Sequence, residues 1–287
     1  MKKSLLLLLM ALSLNACHLD TLGLVYSRSG DVETRFAQSM EYNARTGYAS
    51  ITVPEDNYRV YVITDAHVME KETRNLDRFV KERLADKDAA PFWINLGDNV
   101  NDKGQAGVFE NHIAPLAEAG LRHFPTVGNH DLYFGEWEEW RSRFHTSTYW
   151  FEVITPGRGK DLFVSLESAG GTLGRSQRAW VEELLTGSKG KYDHITVFTH
   201  THFWKRDNSQ SHTSNYNLEE TSDLADLFGR MGVEIVLGGH DHATETTLFK
   251  GVRYETLESL KMDDISPGYN IFTYGKDVKR TYVPVEK

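Results

Sequence analysis

Aspartate, histidine and asparagine recur in this 287-residue chain in five short patches able to hold metal ions: Asp65-Ala66-His67, Gly97-Asp98, Gly128-Asn129-His130-Asp131, His200, and Gly239-His240-Asp241-His242. Carboxylate, imidazole and amide donors without thiolates suit borderline or hard divalent cations such as Zn, Mn and Fe(II), or a mixed pair. Two such ions need a bridging anion between them. Asp98, alone after Gly97, is the natural bridge because a carboxylate offers two oxygens. The Asp-x-His and His-x-His spacings keep both side chains of each pair on one side of an extended segment. A lone histidine among the chain's 12 is more often a core or surface residue than a ligand. Five patches in comparable local settings carry more weight than any one of them.

Those settings are strand ends. Val60-Tyr61-Val62-Ile63, Phe92-Trp93-Ile94-Asn95-Leu96, Phe124-Pro125-Thr126-Val127, Ile195-Thr196-Val197-Phe198 and Val233-Glu234-Ile235-Val236-Leu237 read as buried strands, each followed by a patch. The expectation is that the ligands gather at the carboxyl edge of one sheet, where open α/β folds place their sites. Helical periodicity over 71–86 and 107–119 separates the first three strands. Such βαβ units imply a parallel sheet with right-handed crossovers. Residues 149–153 and 162–166 read as strands of a second, largely antiparallel sheet, with helices at 176–185 and 218–230 and short strands at 244–249, 252–257 and 270–274. Residues 32–43 read as a short helix, and no strand is expected before Tyr58. The expected organisation is a leader over 1–16, a tether or extension over 17–57, and one domain over 58–287.

The order Asp-x-His, Gly-Asp, Gly-Asn-His-Asp, lone His, Gly-His-x-His resembles that of the calcineurin-like metallophosphoesterases, over roughly residues 58–245. The resemblance implies an α/β fold: a four-layer αββα sandwich of two mixed β-sheets flanked by helices, with a dinuclear metal site. Carried over by position, it implies one ion on Asp65, His67, Asp98 and His242, and another on Asp98, Asn129, His200 and His240. In the fourth patch, Thr199-His200-Thr201-His202 offers two histidines; His200 comes first after the strand, as in the family, and His202 is then expected to line the pocket or bond a phosphate oxygen. Protein Ser/Thr phosphatases of the family carry Asp and Arg where Asn101 and Asp102 fall, and purple acid phosphatases carry a metal-binding Tyr in place of Asn101. An Asn there, like Gly-Asn-His-Asp, fits the cyclic-nucleotide and glycerophosphodiester branch.

Two cations sharing an oxygen lower the pKa of that water to near neutrality and clamp a phosphate oxygen for in-line attack, the hydrolysis of small phosphate esters with diesters preferred. In the family the histidine after the ligand asparagine faces the leaving oxygen, so His130 is the expected general acid or charge stabiliser, with Asp131 or Asn101 orienting its ring. Tyr216, on the long loop before the fifth strand, is a candidate substrate contact beside Asn101 and His202. The competing expectations are a phosphomonoesterase of the same family and a non-catalytic lipoprotein that holds metal or phosphate in the same cleft.

Met1-Lys2-Lys3 and the apolar run from Leu5 to Leu14 have the form of a secretory leader. The leader ends in Leu14-Asn15-Ala16-Cys17, which resembles a bacterial lipobox. Cys17 is the only cysteine, so no intramolecular disulfide can form, and lipidation there would anchor the chain to a membrane outside the cytoplasm. His18 in place of an inner-membrane retention aspartate favours the outer membrane. The net charge of −9 falls to −11 once Lys2 and Lys3 leave with the leader, a poor surface for long nucleic acid. Nothing in the sequence points to a protein partner.

Overall fold

The structure, a computed structural model, describes residues 31–206 and 210–285. The leader and Cys17 lie outside the described residues. The chain opens on helix α1, Val32–Thr46, which the side chain of Asp31 caps by accepting from Glu33 N at 3.2 Å. There follow β1 (Ala49–Thr52), β2 (Tyr58–Ile63), α2 (Arg74–Ala85), β3 (Phe92–Asn95), α3 (Ala106–Glu118) and β4 (Arg122–Pro125). A 3-10 turn at His130–Gly135 leads to α4 (Trp137–Phe144), β5 (Tyr149–Ile154), β6 (Lys160–Leu166), α5 (Gly174–Ser188), β7 (His194–Thr201), α6 (Leu218–Met231) and β8 (Ile235–Gly239). The chain closes with β9 (Glu245–Phe249), β10 (Val252–Thr256), β11 (Gly268–Tyr274) and β12 (Lys279–Pro284).

Two sheets result, a seven-stranded one in the order β1-β5-β6-β7-β8-β10-β9 and a five-stranded one in the order β12-β11-β2-β3-β4. Both are mixed. The expectation of a largely antiparallel second sheet is corrected, since β1–β5, β6–β7, β7–β8 and β8–β10 all pair parallel. The inner faces meet in an aromatic core where Phe124 stacks on Phe151 at 3.8 Å and Phe151 on Phe163 at 4.8 Å, with Val60, Val62, Ile94 and Leu237 filling around them. The outer face of the five-stranded sheet packs Tyr61, Ile63 and Trp93 on Leu76 and Phe79 of α2 and Phe109 and Ile113 of α3. The other outer face packs Leu162, Val164 and Val197 on Val181 and Leu185 of α5 and Leu224 and Phe228 of α6. The layers are therefore α, β, β, α, as required when the central strands β2, β3, β7 and β8 are buried on both faces.

Residues before 58 are not a tether throughout. Strand β1 extends the large sheet, and α1 is locked down by Arg35, whose guanidinium pairs with Glu167 at 3.0 Å with both side chains excluded from water. Removing one partner of such a buried pair costs about 3–5 kcal/mol, because the other charge is left unpaired. Among the described residues no helix is long and apolar enough to cross a membrane.

Candidate metal centre

All five motif strands deliver their patches to one place, but not from one sheet. β2, β3 and β4 of the smaller sheet carry Asp65, Asp98 and Asn129 past their carboxyl ends, while β7 and β8 of the larger sheet carry His200 and His240. The residues thus converge across the mouth of the sandwich, which corrects the one-sheet expectation. Asp65, His67, Asp98, His240 and His242 all have positive φ, between 44° and 71°, and among the described residues only three other non-glycine residues do. Each such conformation costs of order 1–3 kcal/mol and persists where the surroundings over-determine it, which marks functional sites. Two motif glycines have a steric reason. A Cβ on Gly128 would run into Asp98 Oδ1, and one on Gly239 into Thr64 Oγ1 and Asp65 Oδ2, so the ligand loops touch backbone to side chain with no room between.

Two clusters of ligand atoms form. In the first, His242 Nε2 stands 3.2 Å from His67 Nε2 and 3.3 Å from Asp65 Oδ1. In the second, His200 Nε2 stands 3.0 Å from Asn129 Oδ1, 3.2 Å from His240 Nδ1 and 3.3 Å from Asp98 Oδ2. The same Asp98 Oδ2 lies 3.7 Å from His67 Nε2, so one oxygen faces both clusters. Ligand atoms around a tetrahedral ion with bonds of about 2.1 Å stand roughly 3.4 Å apart, close to these separations.

The chemistry of the donors fits a cation. His200 Nδ1 lies 2.9 Å from the Leu96 carbonyl; a carbonyl cannot donate, so Nδ1 carries the proton and Nε2 turns its lone pair inward. Asn129 Nδ2 donates to the Tyr133 hydroxyl at 2.8 Å, which turns Oδ1 inward. Asp65 is anchored by Oδ2, which accepts from Thr64 Oγ1 at 2.5 Å and from His240 N at 2.9 Å, while its buried Oδ1 has no hydrogen-bond donor. Burial works against a charge on His200, yet Asp98 and Asp65 outweigh it and lift the imidazole to about 9. Burial and the neighbouring His200 push His240 down to about 4. Without an ion, a proton on His200 balances the carboxylates, in the place that a cation would take.

His130 reaches the same hollow. Its N donates to Asp98 Oδ1 at 2.7 Å, its ring stands edge to face with His67 at 4.5 Å, and its Nδ1 lies 3.1 Å from the Asn101 carbonyl. Of the two expected ring orienters, Asn101 takes the role through its backbone carbonyl, its side chain turning to Met69 Sδ and Asp102, and Asp131 is corrected. Asp131 points away, accepting from Asn99 N and Gly128 N at 2.9 Å each and from Asn99 Nδ2 at 3.2 Å. Burial and then the nearby Asp98 raise its carboxyl to about 7. It clamps the Gly97-Asp98 and Gly128-Asn129 loops together and touches no reacting position.

His202 is buried, stacks on His240 at 5.8 Å and leaves its Nδ1 without a partner. Tyr216 packs on Phe203 and lines a cleft of about 460 Å³ that opens onto Asn129 and His240 together with Tyr133, Ser214 and Asn215. A second cleft of about 520 Å³ opens beside His242 and is lined by Arg206, Lys261, Asp264 and Ile265. Three supporting groups escape a motif reading: Tyr133, which turns Asn129; Arg206, whose Nη2 donates to the Asp241 carbonyl at 2.7 Å; and Asp264, whose Oδ2 is 3.1 Å from His242 Nδ1. Only the first had a signal, an aromatic four residues after the asparagine. Trp137 and Trp140 stack on each other in the interior, and Trp204 stacks on His212, so these aromatics pack the fold.

A four-layer sandwich with acidic, imidazole and amide groups converging between its sheets is the architecture of metal-dependent phosphoesterases, and the chain belongs to the calcineurin-like phosphoesterase family, whose model matches residues 58–244. Membership and the His/Asp clusters together point to a divalent metal site and a phosphoesterase activity. The fold is similar to that of a dimetal phosphatase from Danio rerio (TM-score 0.63, 13% identity, covering 78% of this chain and 95% of that one). It is also similar to GAP50 of Plasmodium, described as the anchor in the inner membrane complex (0.58, 14%, 81% and 86%), and to the purple acid phosphatase PPD1 of yellow lupin (0.58, 15%, 81% and 52%). No curated protein matches the sequence.

Proposed function

We propose that the protein is a dinuclear metallophosphodiesterase acting on small phosphate esters. The observation that carries this reading is Asp98 Oδ2, which faces His200 at 3.3 Å and His67 at 3.7 Å, a single carboxylate oxygen between two ligand clusters. One ion would be held by Asp65, His67, Asp98 and His242, the other by Asp98, Asn129, His200 and His240; Mn, Zn and Fe(II) all suit these donors. When bound, two divalent cations supply a water acidic near neutral pH and neutralise a phosphate oxygen.

The chain's own contribution to bond breaking centres on His130. With Nδ1–H directed at the Asn101 carbonyl, Nε2 is the nitrogen that holds and releases a second proton, here to the departing ester oxygen. His202, with its unpartnered buried Nδ1, and Tyr216, in the neutral cleft, are the proposed substrate contacts. The intact His130 arrangement favours an enzyme over a non-catalytic binder, which has no need of a leaving-group acid.

Diesters are favoured over monoesters because the contacts within the two clusters are made by Asp, His and Asn side chains, and the two cations lining the cleft beside His242 are both paired, Arg206 with Asp241 and Lys261 with Asp263. A monoester dianion generally demands more positive charge around the phosphoryl oxygens than a diester monoanion does. Turnover of bis-p-nitrophenyl phosphate and p-nitrophenyl phosphate, with Mn, Zn and Fe supplied in turn, tests this: kcat/KM is expected to be higher for the diester, and a monoester preference with every metal reverses the assignment.

We further propose that Cys17 carries a lipid that holds the folded body outside the cytoplasm, at the outer membrane. The lipobox-like Leu14-Asn15-Ala16-Cys17 supports it, as does His18. The acidic surface argues against long nucleic acid as a substrate. Mass spectrometry of the membrane fraction should find acylated Cys17 as the first residue; a soluble, acyl-free protein would refute the anchor.

A further inference from the structure

We infer that Asp264, on the loop between β10 and β11, is a positioning residue for the metal centre: it fixes the tautomer and direction of His242 and so sets the affinity of the Asp65–His67–His242 cluster. The inference rests on the proposed metal-binding role of that cluster. Asp264 lies beyond residues 58–244, the segment that matches the family model.

The loop is stitched to the site on both sides. Leu257 N donates to the Gly238 carbonyl at 2.9 Å, at the end of β8, and Leu260 N donates to the Thr64 carbonyl at 3.0 Å, beside Asp65. Asn75 Nδ2 holds the Leu260 carbonyl at 3.0 Å and Gly268 N closes the loop on the Ser259 carbonyl at 2.9 Å. Within this frame the Asp264 carboxylate has little freedom. Its Oδ1 accepts from Ile265 N at 2.6 Å, and its Oδ2 accepts from Ser259 Oγ and faces His242 Nδ1 at 3.1 Å.

A carboxylate bonded to Nδ1 stabilises the tautomer with its proton there, and Nε2 is left as the lone-pair nitrogen. That atom is the one directed at His67 Nε2 and Asp65 Oδ1. His242 is in particular need of such support. Its side chain is 29% exposed, against 0–3% for His200, His67, Asp65 and Asp98, and its backbone sits at φ 52°. Packing alone does not aim it. Carboxylate partners of metal-bound imidazoles also raise ligand basicity, and their loss typically lowers metal affinity 10–100-fold.

The test titrates Mn and Zn into the metal-stripped full chain against a chromophoric chelator, for the parent, Asp264→Asn and Ser259→Ala, with the melting temperature of each metal-stripped protein measured alongside. Asparagine keeps the shape and the bond from Ile265 N, but its amide Nδ2 cannot accept from His242. One of two binding constants is expected to weaken by about 10–100-fold in Asp264→Asn, with the other and the metal-stripped melting temperature unchanged. Ser259→Ala keeps the Asp264 carboxylate and removes one donor to its Oδ2, so the same constant should weaken by less than in Asp264→Asn. Unchanged binding in Asp264→Asn overturns the inference. So does an equal loss at both constants with a lowered metal-stripped melting temperature, which would make Asp264 a loop staple only. A parent protein that takes up no ion would instead remove the proposed metal centre itself.

Discussion

Asp98→Ala is expected to empty both metal positions. Asp98 Oδ2 faces His67 of one cluster and His200 of the other, and it is the ligand assigned to both ions. Its removal leaves Asp65, His67 and His242 on one side, and Asn129, His200 and His240 on the other, without a shared anion to balance two dications. It also frees His130 N from Asp98 Oδ1, so the 3-10 turn bearing Asn129 and His130 loses an anchor. Affinity should fall by more than the roughly 10–100-fold typical of losing an outer contact, and kcat/KM by about three orders of magnitude or more. Elemental analysis of the purified variant decides the matter. If it retains two ions per chain, Asp98 is not the bridge.

His130→Asn is expected to keep the metal content and to lower kcat by roughly two to four orders of magnitude on esters with poor leaving groups. The geometry gives His130 two loyalties. It belongs to a triplet with His67 and Asp98 close enough to share an ion, and its Nδ1 is committed to the Asn101 carbonyl. As a proton donor its loss should matter least for p-nitrophenolate, which departs without protonation, and most for an alkoxide. An equal loss across leaving groups would make it a stabiliser of the phosphoryl oxygens, and loss of one ion would make it a ligand.

The candidate ligands were legible in the sequence because metal chemistry restricts residue type and because the glycines beside Asp98, Asn129 and His240 mark places where loops touch. The division of the strands between two sheets was not. β2, β3, β7 and β8 are buried almost throughout, so no alternation of apolar and polar residues distinguishes the face turned to the other sheet from the face turned to a helix. β1 and β12 were missed for the opposite reason. Each is an edge strand with exposed polar positions, Ser50 and Thr52 in one and Lys279 and Thr281 in the other, and reads as loop until a neighbour pairs with it. Asp131 sits next to His130 in sequence and is one of its two expected orienters; the 3-10 turn sends its carboxylate back to Asn99 and Gly128 instead. Asp264 shows the converse, a residue distant along the chain that folding brings against His242.

The convergence of ligands from both sheets gives the ions a mechanical part. Asp65, Asp98 and Asn129 belong to one leaf of the sandwich and His200, His240 and His242 to the other, so a cation held by residues of both is a rivet through the mouth of the fold. The leaves cannot part there without releasing it. Because an unfolded chain holds no such arrangement, occupancy at a hundred times the dissociation constant adds about 2.7 kcal/mol per site to the free energy of unfolding. Resistance to heat and denaturant is therefore expected to rise with added divalent ion, on top of what the aromatic core supplies. For a chain whose lone cysteine rules out internal disulfides, a bound divalent ion would be the adjustable cross-link.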